Sequence, residues 1–108
     1  MNRTGRLRLQ ALGIEDALNL IDRIAIETGW TSDEIKGPSR VANLAWVRHL
    51  AMAAVRRASD LSLSQIGAVF GLRHHTSVLH GIRRAEDAAK VDPAVDDLLA
   101  EWGSRSAF

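Results

Sequence analysis

The sequence predicts a small all-α domain built around a helix-turn-helix. Apolar residues recur at three- and four-residue spacing almost throughout, and no stretch alternates apolar and polar residues as a half-buried strand would. Gly, Pro, Ser and Asp punctuate the chain where helices would have to end. In residues 15–28, Ala17, Leu18, Leu20, Ile21, Ile24, Ala25 and Ile26 supply an apolar side, Glu15 and Asp16 complement the dipole of the first turn, and Gly29 stops the helix. Thr31 or Ser32 caps a short turn through Asp33, Glu34 and Ile35, which Gly37-Pro38 breaks.

A long helix follows and ends near Ala58, with either Ser39 or Asn43 as its N-cap. With Ser39 as cap, Arg40 is the first helical residue; with Asn43, Arg40 lies in a basic loop. Leu44, Val47, Leu50, Ala51, Ala54, Val55 and Ala58 form the core side, which leaves Arg48, Met52 and Arg56 at i+4 steps on another face. Ser62 caps a helix from Leu63 to Phe70, and Gly71 ends it in a left-handed C-cap. A further helix runs from His75 or Thr76 to Lys90 with Val78, Leu79, Ile82, Ala85 and Ala89 inward. Asp92-Pro93 stops it and starts a last helix from Ala94 to about Ser104, carrying Val95, Leu98, Leu99 and Trp102. Trp30, Trp46 and Trp102 read as core anchors, with base stacking the alternative for Trp46.

At 108 residues and 46% apolar, the chain makes one core. With no cysteine, disulfides and thiolate zinc sites are excluded and packing must supply the stability. No apolar run approaches the ~18 residues of a membrane span, and Met1 to Gly13 carries Arg3, Arg6 and Arg8 with no following apolar core, so it reads as a basic tail and not a signal peptide. A soluble, cytoplasmic protein is expected.

The net charge of +1 conceals a pattern. Residues 37–85 hold Arg40, Arg48, Arg56, Arg57, Arg73, Arg83 and Arg84 against Asp60 alone, a balance of +6, together with His49, His74, His75 and His80. The segments on either side, 14–36 and 86–108, each balance to −4. A basic centre between acidic flanks is a candidate anion-binding surface. Arg57, Arg83 and Arg84 read as a solvated face of that centre.

Two helices joined by a tight turn, Ser62 to Phe70 and His75 to Lys90, have helix-turn-helix proportions. Gly67 is small where they must cross. The second opens on His74, His75, Thr76 and Ser77 before any apolar residue, where a recognition helix presents side chains to base edges and its N-terminus attracts phosphate.

These residues resemble a known signature. Ser62-Leu63-Ser64-Gln65-Ile66-Gly67, then Phe70-Gly71-Leu72-Arg73-His74-His75-Thr76-Ser77-Val78-Leu79-His80, with Arg48-His49-Leu50-Ala51-Met52-Ala53 upstream, is similar to the C-terminal DNA-binding domain of the bacterial replication initiator DnaA (domain IV, a Trp-repressor-like fold). The resemblance covers residues 14–105, leaving 1–13 as the tail. It implies that His74, His75 and Thr76 read bases in the major groove, Arg40 enters the minor groove, and Arg48, Arg56, Arg73, Ser77 and Ser64 hold the DNA backbone. His80 is implied at a helix packing interface. Three positions depart from the pattern: His74 replaces an aspartate able to accept from cytosine, Gln65 a glutamate, and Leu72 a glycine of the interhelical turn. The first leaves the base preference open.

No glycine-rich G-x-x-x-x-G-K-[ST] loop is present for the initiator's ATPase. The resemblance therefore implies a sequence-specific reader of double-stranded DNA, a transcriptional regulator such as activates phage-like elements or gene transfer agents, as the initial Met1 and basic N-terminal segment favour. The alternatives are an origin-binding replication factor or excised initiator domain, and a protein-interaction module that has lost DNA binding. The acidic flanks offer a surface to RNA polymerase or another regulatory protein. No metal, cofactor, small-molecule substrate or enzymatic activity is expected, since His75 and His80 are badly spaced for a ligand pair and no oxyanion hole or orienting acid accompanies Ser62 and Ser64.

Overall fold

A computed structural model describes the backbone of residues 2–106 and the side chains of residues 13–104. Six helices follow one another: α1 (Asn2–Thr28), α2 (Ser32–Lys36), α3 (Ala42–Ala58), α4 (Leu63–Val69), α5 (His75–Val91) and α6 (Pro93–Ser106), with no strand among the described residues. The first helix starts at Asn2, well before the expected residue 15, and the side chains of Arg3, Arg6 and Arg8 lie outside the described residues.

The ends of the helices follow from their caps. Gly29 takes φ +81° after α1, and its N–H donates to the Ala25 carbonyl. Thr31, not Ser32, caps α2 in a reciprocal box with Glu34. Ser62 caps α4 in the same way with Gln65, whose amide oxygen accepts the Ser62 N–H at 2.8 Å; a glutamine serves here as well as a glutamate. α4 stops at Val69, one residue short of Phe70, which is fully buried behind it. For α3 both expected caps are wrong. Val41 holds the N-cap position with no side-chain cap, and the Ser39 hydroxyl accepts the Val41 N–H instead, so Arg40 lies exposed in the preceding loop.

α3 is the central helix and touches each of the other five. Its small residues Ala51, Ala53 and Ala54 let neighbours approach closely, while Leu44, Leu50, Met52 and Val55 fill the spaces between them. The core is completed by Leu20, Ile21 and Ile24 of α1, Ile35 of α2, Ile66 and Phe70, Val78 and Ile82 of α5, and Leu99 and Trp102 of α6. Trp30 and Trp46 pack partly buried against it. Two side chains expected inward lie outside: Leu18 and Ile26, the latter 82% exposed, because the helix before Gly29 meets its neighbours along the stripe of Ala17, Leu20, Ile21, Ile24 and Ala25. His80 is also exposed rather than part of the helix packing.

Arg57, Arg83 and Arg84 are all exposed, but Arg57 is also tied to its neighbours. Its guanidinium donates to both carboxylate oxygens of Glu86 at 2.9 and 2.7 Å and to Asp96 at 2.8 Å, tying α3 to α5 and α6. On the far side of α6 the Trp102 indole N–H donates to Glu27 at 2.8 Å.

α4, the turn and α5 form the helix-turn-helix. Gly71 (φ +84°) and Leu72 (φ +63°) both take left-handed backbone, Leu72 with its side chain 86% exposed. The Arg73 N–H then donates to the Gly67 carbonyl at 2.8 Å. A Cβ on Gly67 would overlap the Arg73 carbonyl oxygen and press on Val78, so glycine is required where the two helices cross. Because backbone cannot give way as a side chain does, Gly67→Ala is expected to destabilise the domain by about 1–3 kcal/mol in urea unfolding. Gly103→Ala, where the added methyl meets nothing closer than 3.8 Å, is expected to leave stability unchanged or raise it by up to about 1 kcal/mol.

Candidate nucleic-acid interface

The recognition helix α5 begins with an exposed polar run. His74, His75, Thr76 and Ser77 are all exposed, and the next residue, Val78, is fully buried. The chain therefore fixes the helix by Val78 and turns its whole first turn outward. His74 is the N-cap: its Nδ1 accepts the Thr76 N–H at 3.2 Å and lies 2.7 Å from the Thr76 hydroxyl. An aspartate could cap in the same place, so the histidine keeps the structural half of that residue's work. Its consequence for recognition is chemical. With Nδ1 accepting, the neutral ring carries its proton on Nε2 and presents a donor outward. The His75 ring lies against it at 4.2 Å between centroids.

The remaining candidates divide. Arg40 stands exposed in the loop before α3, Arg56 is exposed in the last turn of α3, and Ser64 is exposed in the first turn of α4. Arg48 is different. The expectation that it shares an outward face with Met52 and Arg56 is wrong: Arg48 is 5% exposed, Met52 is buried beside it, and only Arg56 points out. Its three nitrogens donate to backbone carbonyls of the last turn of α2 and of the loop after it, Nε to Ile35 at 2.6 Å, Nη2 to Glu34 at 3.1 Å and Nη1 to Ser39 at 2.9 Å. Arg73 is half-buried, and its Nη2 donates to the Gly37 carbonyl in the same loop as Ser39. Sequence reasoning missed this arrangement. The available signal was that Arg48 lies four residues from Leu44 and from Met52, both of which face the core.

Electrostatics mark one side of the molecule. Burial pushes the Arg48 guanidinium down to about 10, with the charge of Arg73 adding to it, and burial also lowers Arg73. His49 is held below the usual histidine value first by burial, then by the charges of Arg84, Arg48, His80 and Arg73. α3, the turn and α5 thus direct positive charge into one region, around the edge of the recognition helix. Arg57 stands apart from it, its pKa raised by its hydrogen bonds to Glu86 and Asp96. Among the described residues no group of three His, Cys, Asp or Glu gathers to hold a metal ion, and no helix is long and apolar enough to cross a membrane.

A short supporting helix, a tight glycine-containing turn, and a second helix whose polar N-terminus projects from a basic surface define a DNA-binding helix-turn-helix domain. A family model described as the bacterial DnaA protein helix-turn-helix matches residues 18–85. The chain is 37% identical over 84 residues to the chromosomal replication initiator protein DnaA of Thermus thermophilus, an alignment covering 78% of this chain and 19% of the relative. It is 37% identical over 83 residues to that of Lachnoclostridium phytofermentans (76% and 18%) and 31% identical over 86 residues to that of Gloeobacter violaceus (80% and 20%). The chain belongs to the DnaA helix-turn-helix family, and its match spans about a fifth of the length of these relatives.

Two outcomes follow from the site's local chemistry. His74→Ala removes the N-cap acceptor and is expected to lower stability by about 1 kcal/mol, whereas His74→Asp, which can cap, is expected to hold it; thermal unfolding of the two variants checks this. His49 is neutral in the folded state down to a lower pH than in the unfolded chain, so the stability it contributes is complete above about pH 6.5 and is lost as pH falls below that value. Replacing it by Gln is expected to flatten the fall in the urea midpoint between about pH 7.5 and 5.5. An equal fall in both proteins would place that titration elsewhere.

Proposed function

We propose that this chain binds double-stranded DNA sequence-specifically, with α5 in the major groove and the Arg40 loop in the adjacent minor groove. The observation that carries the reading is the exposed run His74 to Ser77 directly before buried Val78, set in a surface where basic groups converge. In this reading His75 reads a base edge through a ring nitrogen. Thr76, whose hydroxyl is engaged with His74, offers its methyl group to thymine. His74 offers its Nε2–H to an acceptor such as a purine N7 or thymine O4, in place of the acceptor that an aspartate offers to cytosine N4. Arg40 favours a narrow A·T-rich minor groove, where the negative potential is deepest. Arg56, Ser64 and Ser77, all exposed, hold phosphates and set register.

The use we propose for this reader is transcriptional regulation in the cytoplasm, on the nucleoid. RNA polymerase or another regulatory protein is the partner for the acidic flanks, where Asp97 and Glu101 of α6 are exposed. A second reading, an origin-binding replication factor, is favoured by the identity to proteins named as chromosomal replication initiators. Mapping bound sites across the genome separates the two: promoters for the first, the replication origin for the second.

The DNA-binding reading is tested by a gel shift with a DnaA-box duplex and a scrambled duplex at one salt concentration. Tighter binding to the first supports it, and no binding to either at about micromolar protein contradicts it. His75→Ala or Thr76→Ala is expected to cost about 1–3 kcal/mol on the cognate duplex and little on the scrambled one. An equal loss on both duplexes would remove these residues from base reading.

A further inference from the structure

The loop that carries Arg40 has no regular secondary structure of its own between Gly37 and Val41, and its N-cap residue Val41 receives no side-chain cap. Its backbone is nevertheless held at two carbonyls, and the last turn of α2 that leads into it at two more. Arg48 donates to those of Glu34, Ile35 and Ser39, the last immediately before Arg40, and Arg73 donates to that of Gly37. The contact runs to the helix-turn-helix itself. Arg73 belongs to the turn between α4 and α5, and a Cβ on Gly71 of the same turn would overlap the Lys36 carbonyl oxygen. The turn that aims α5 and the connection that carries Arg40 are therefore one packed joint, with the Arg48 guanidinium buried inside it.

We infer that Arg48 is a positioning residue: it fixes the Arg40 loop against the recognition turn, so that the minor-groove and major-groove readers meet the duplex in one register. The inference rests on the DNA-binding reading above and assigns Arg48 a task other than holding phosphate. A guanidinium suits the task because it presents several N–H groups in a rigid plane, aimed here at three carbonyls from two turns of backbone. A lysine ammonium would keep the charge and could hold a phosphate as a point charge, but cannot span that set.

The test uses a duplex selected from a random pool by the wild-type protein, with 2,6-diaminopurine placed in turn for each adenine. That base leaves the major-groove edge unaltered and adds an amino group to the minor groove. If wild-type protein selects nothing over a scrambled duplex, the DNA-binding reading itself fails. Given a selected site, the wild type is expected to lose about tenfold in affinity at the adenines under Arg40, and Arg40→Ala to show no such loss. Arg48→Lys is expected to behave as Arg40→Ala does, with the loss reduced to under about twofold. Retention of the full loss in a folded Arg48→Lys protein overturns the assignment, since a phosphate contact or a mere buried cation would leave minor-groove discrimination intact. A readout on the wild type holds even where the variant does not fold: the Arg48 Nε–H, followed by NMR in water, is expected to exchange far more slowly than those of Arg40 and Arg56. Exchange as fast as theirs also overturns the assignment of Arg48 as the positioning residue.

Discussion

The domain depends on a buried guanidinium that donates to the backbone where α2 ends and the loop to α3 begins. After α2 the chain turns through Gly37-Pro38, and the carbonyls of Glu34 and Ile35 in the last turn of α2 and of Ser39 in the loop all accept from one guanidinium inside. Leaving such acceptors unpaired costs on the order of 1–3 kcal/mol each, so the connection could not lie there unless something inside donated to it. Arg48 does so from the central helix. Its own burial is tolerable because three of its N–H groups find oxygen, and at about 10 its pKa still leaves it cationic at neutral pH. What stands on this joint is the orientation of Arg40 on one side and of the α4–α5 turn on the other.

From that joint the functional surface follows in a few physical steps. Gly71 and Gly67 let the turn come close to the connection and let α5 cross α4 without a Cβ in the way. The crossing buries Val78, and burial of Val78 leaves His74 to Ser77 outside. His74 then caps the helix through Nδ1, which leaves the Nε2–H on the opposite edge of its exposed ring. The +6 balance of residues 37–85 also acquires structure: Arg57 is paired with Glu86 and Asp96, Arg48 and Arg73 hold backbone, and Arg40, Arg56, Arg83 and Arg84 are exposed. Two of the seven arginines, Arg48 and Arg73, turn inward where the sequence suggests outward-facing cations.

Much of this was legible in the residues. The all-α class, the order of the helices, the Ser62 cap, the left-handed Gly71 and the close crossing at Gly67 follow from periodicity and from the chemistry of single positions, which act locally. Departures arose where tertiary packing overrides local preference. Ser39 and Asn43 are good caps in isolation, but the Ser39 carbonyl is held from within by Arg48, and the helix starts at Ala42 with Val41 in the N-cap position and no side-chain cap. Ile26 keeps the helical period yet has no neighbour to pack against. Arg48 reads as a solvated cation because a charged residue is rarely buried, and only the carbonyls it meets, brought together from residues 9 to 14 positions away, explain why this one is.

The central claim is that one protein molecule reads both grooves of a duplex from a single rigid joint. Dimethyl sulfate footprinting tests it most directly, because the reagent methylates guanine N7 in the major groove and adenine N3 in the minor groove of the same DNA. The account predicts that the bound protein protects N7 positions at the site of α5 together with adenine N3 positions beside it, and that both protections appear at the same protein concentration. Protection confined to one groove, or minor-groove protection that appears only at higher protein concentration, would contradict it.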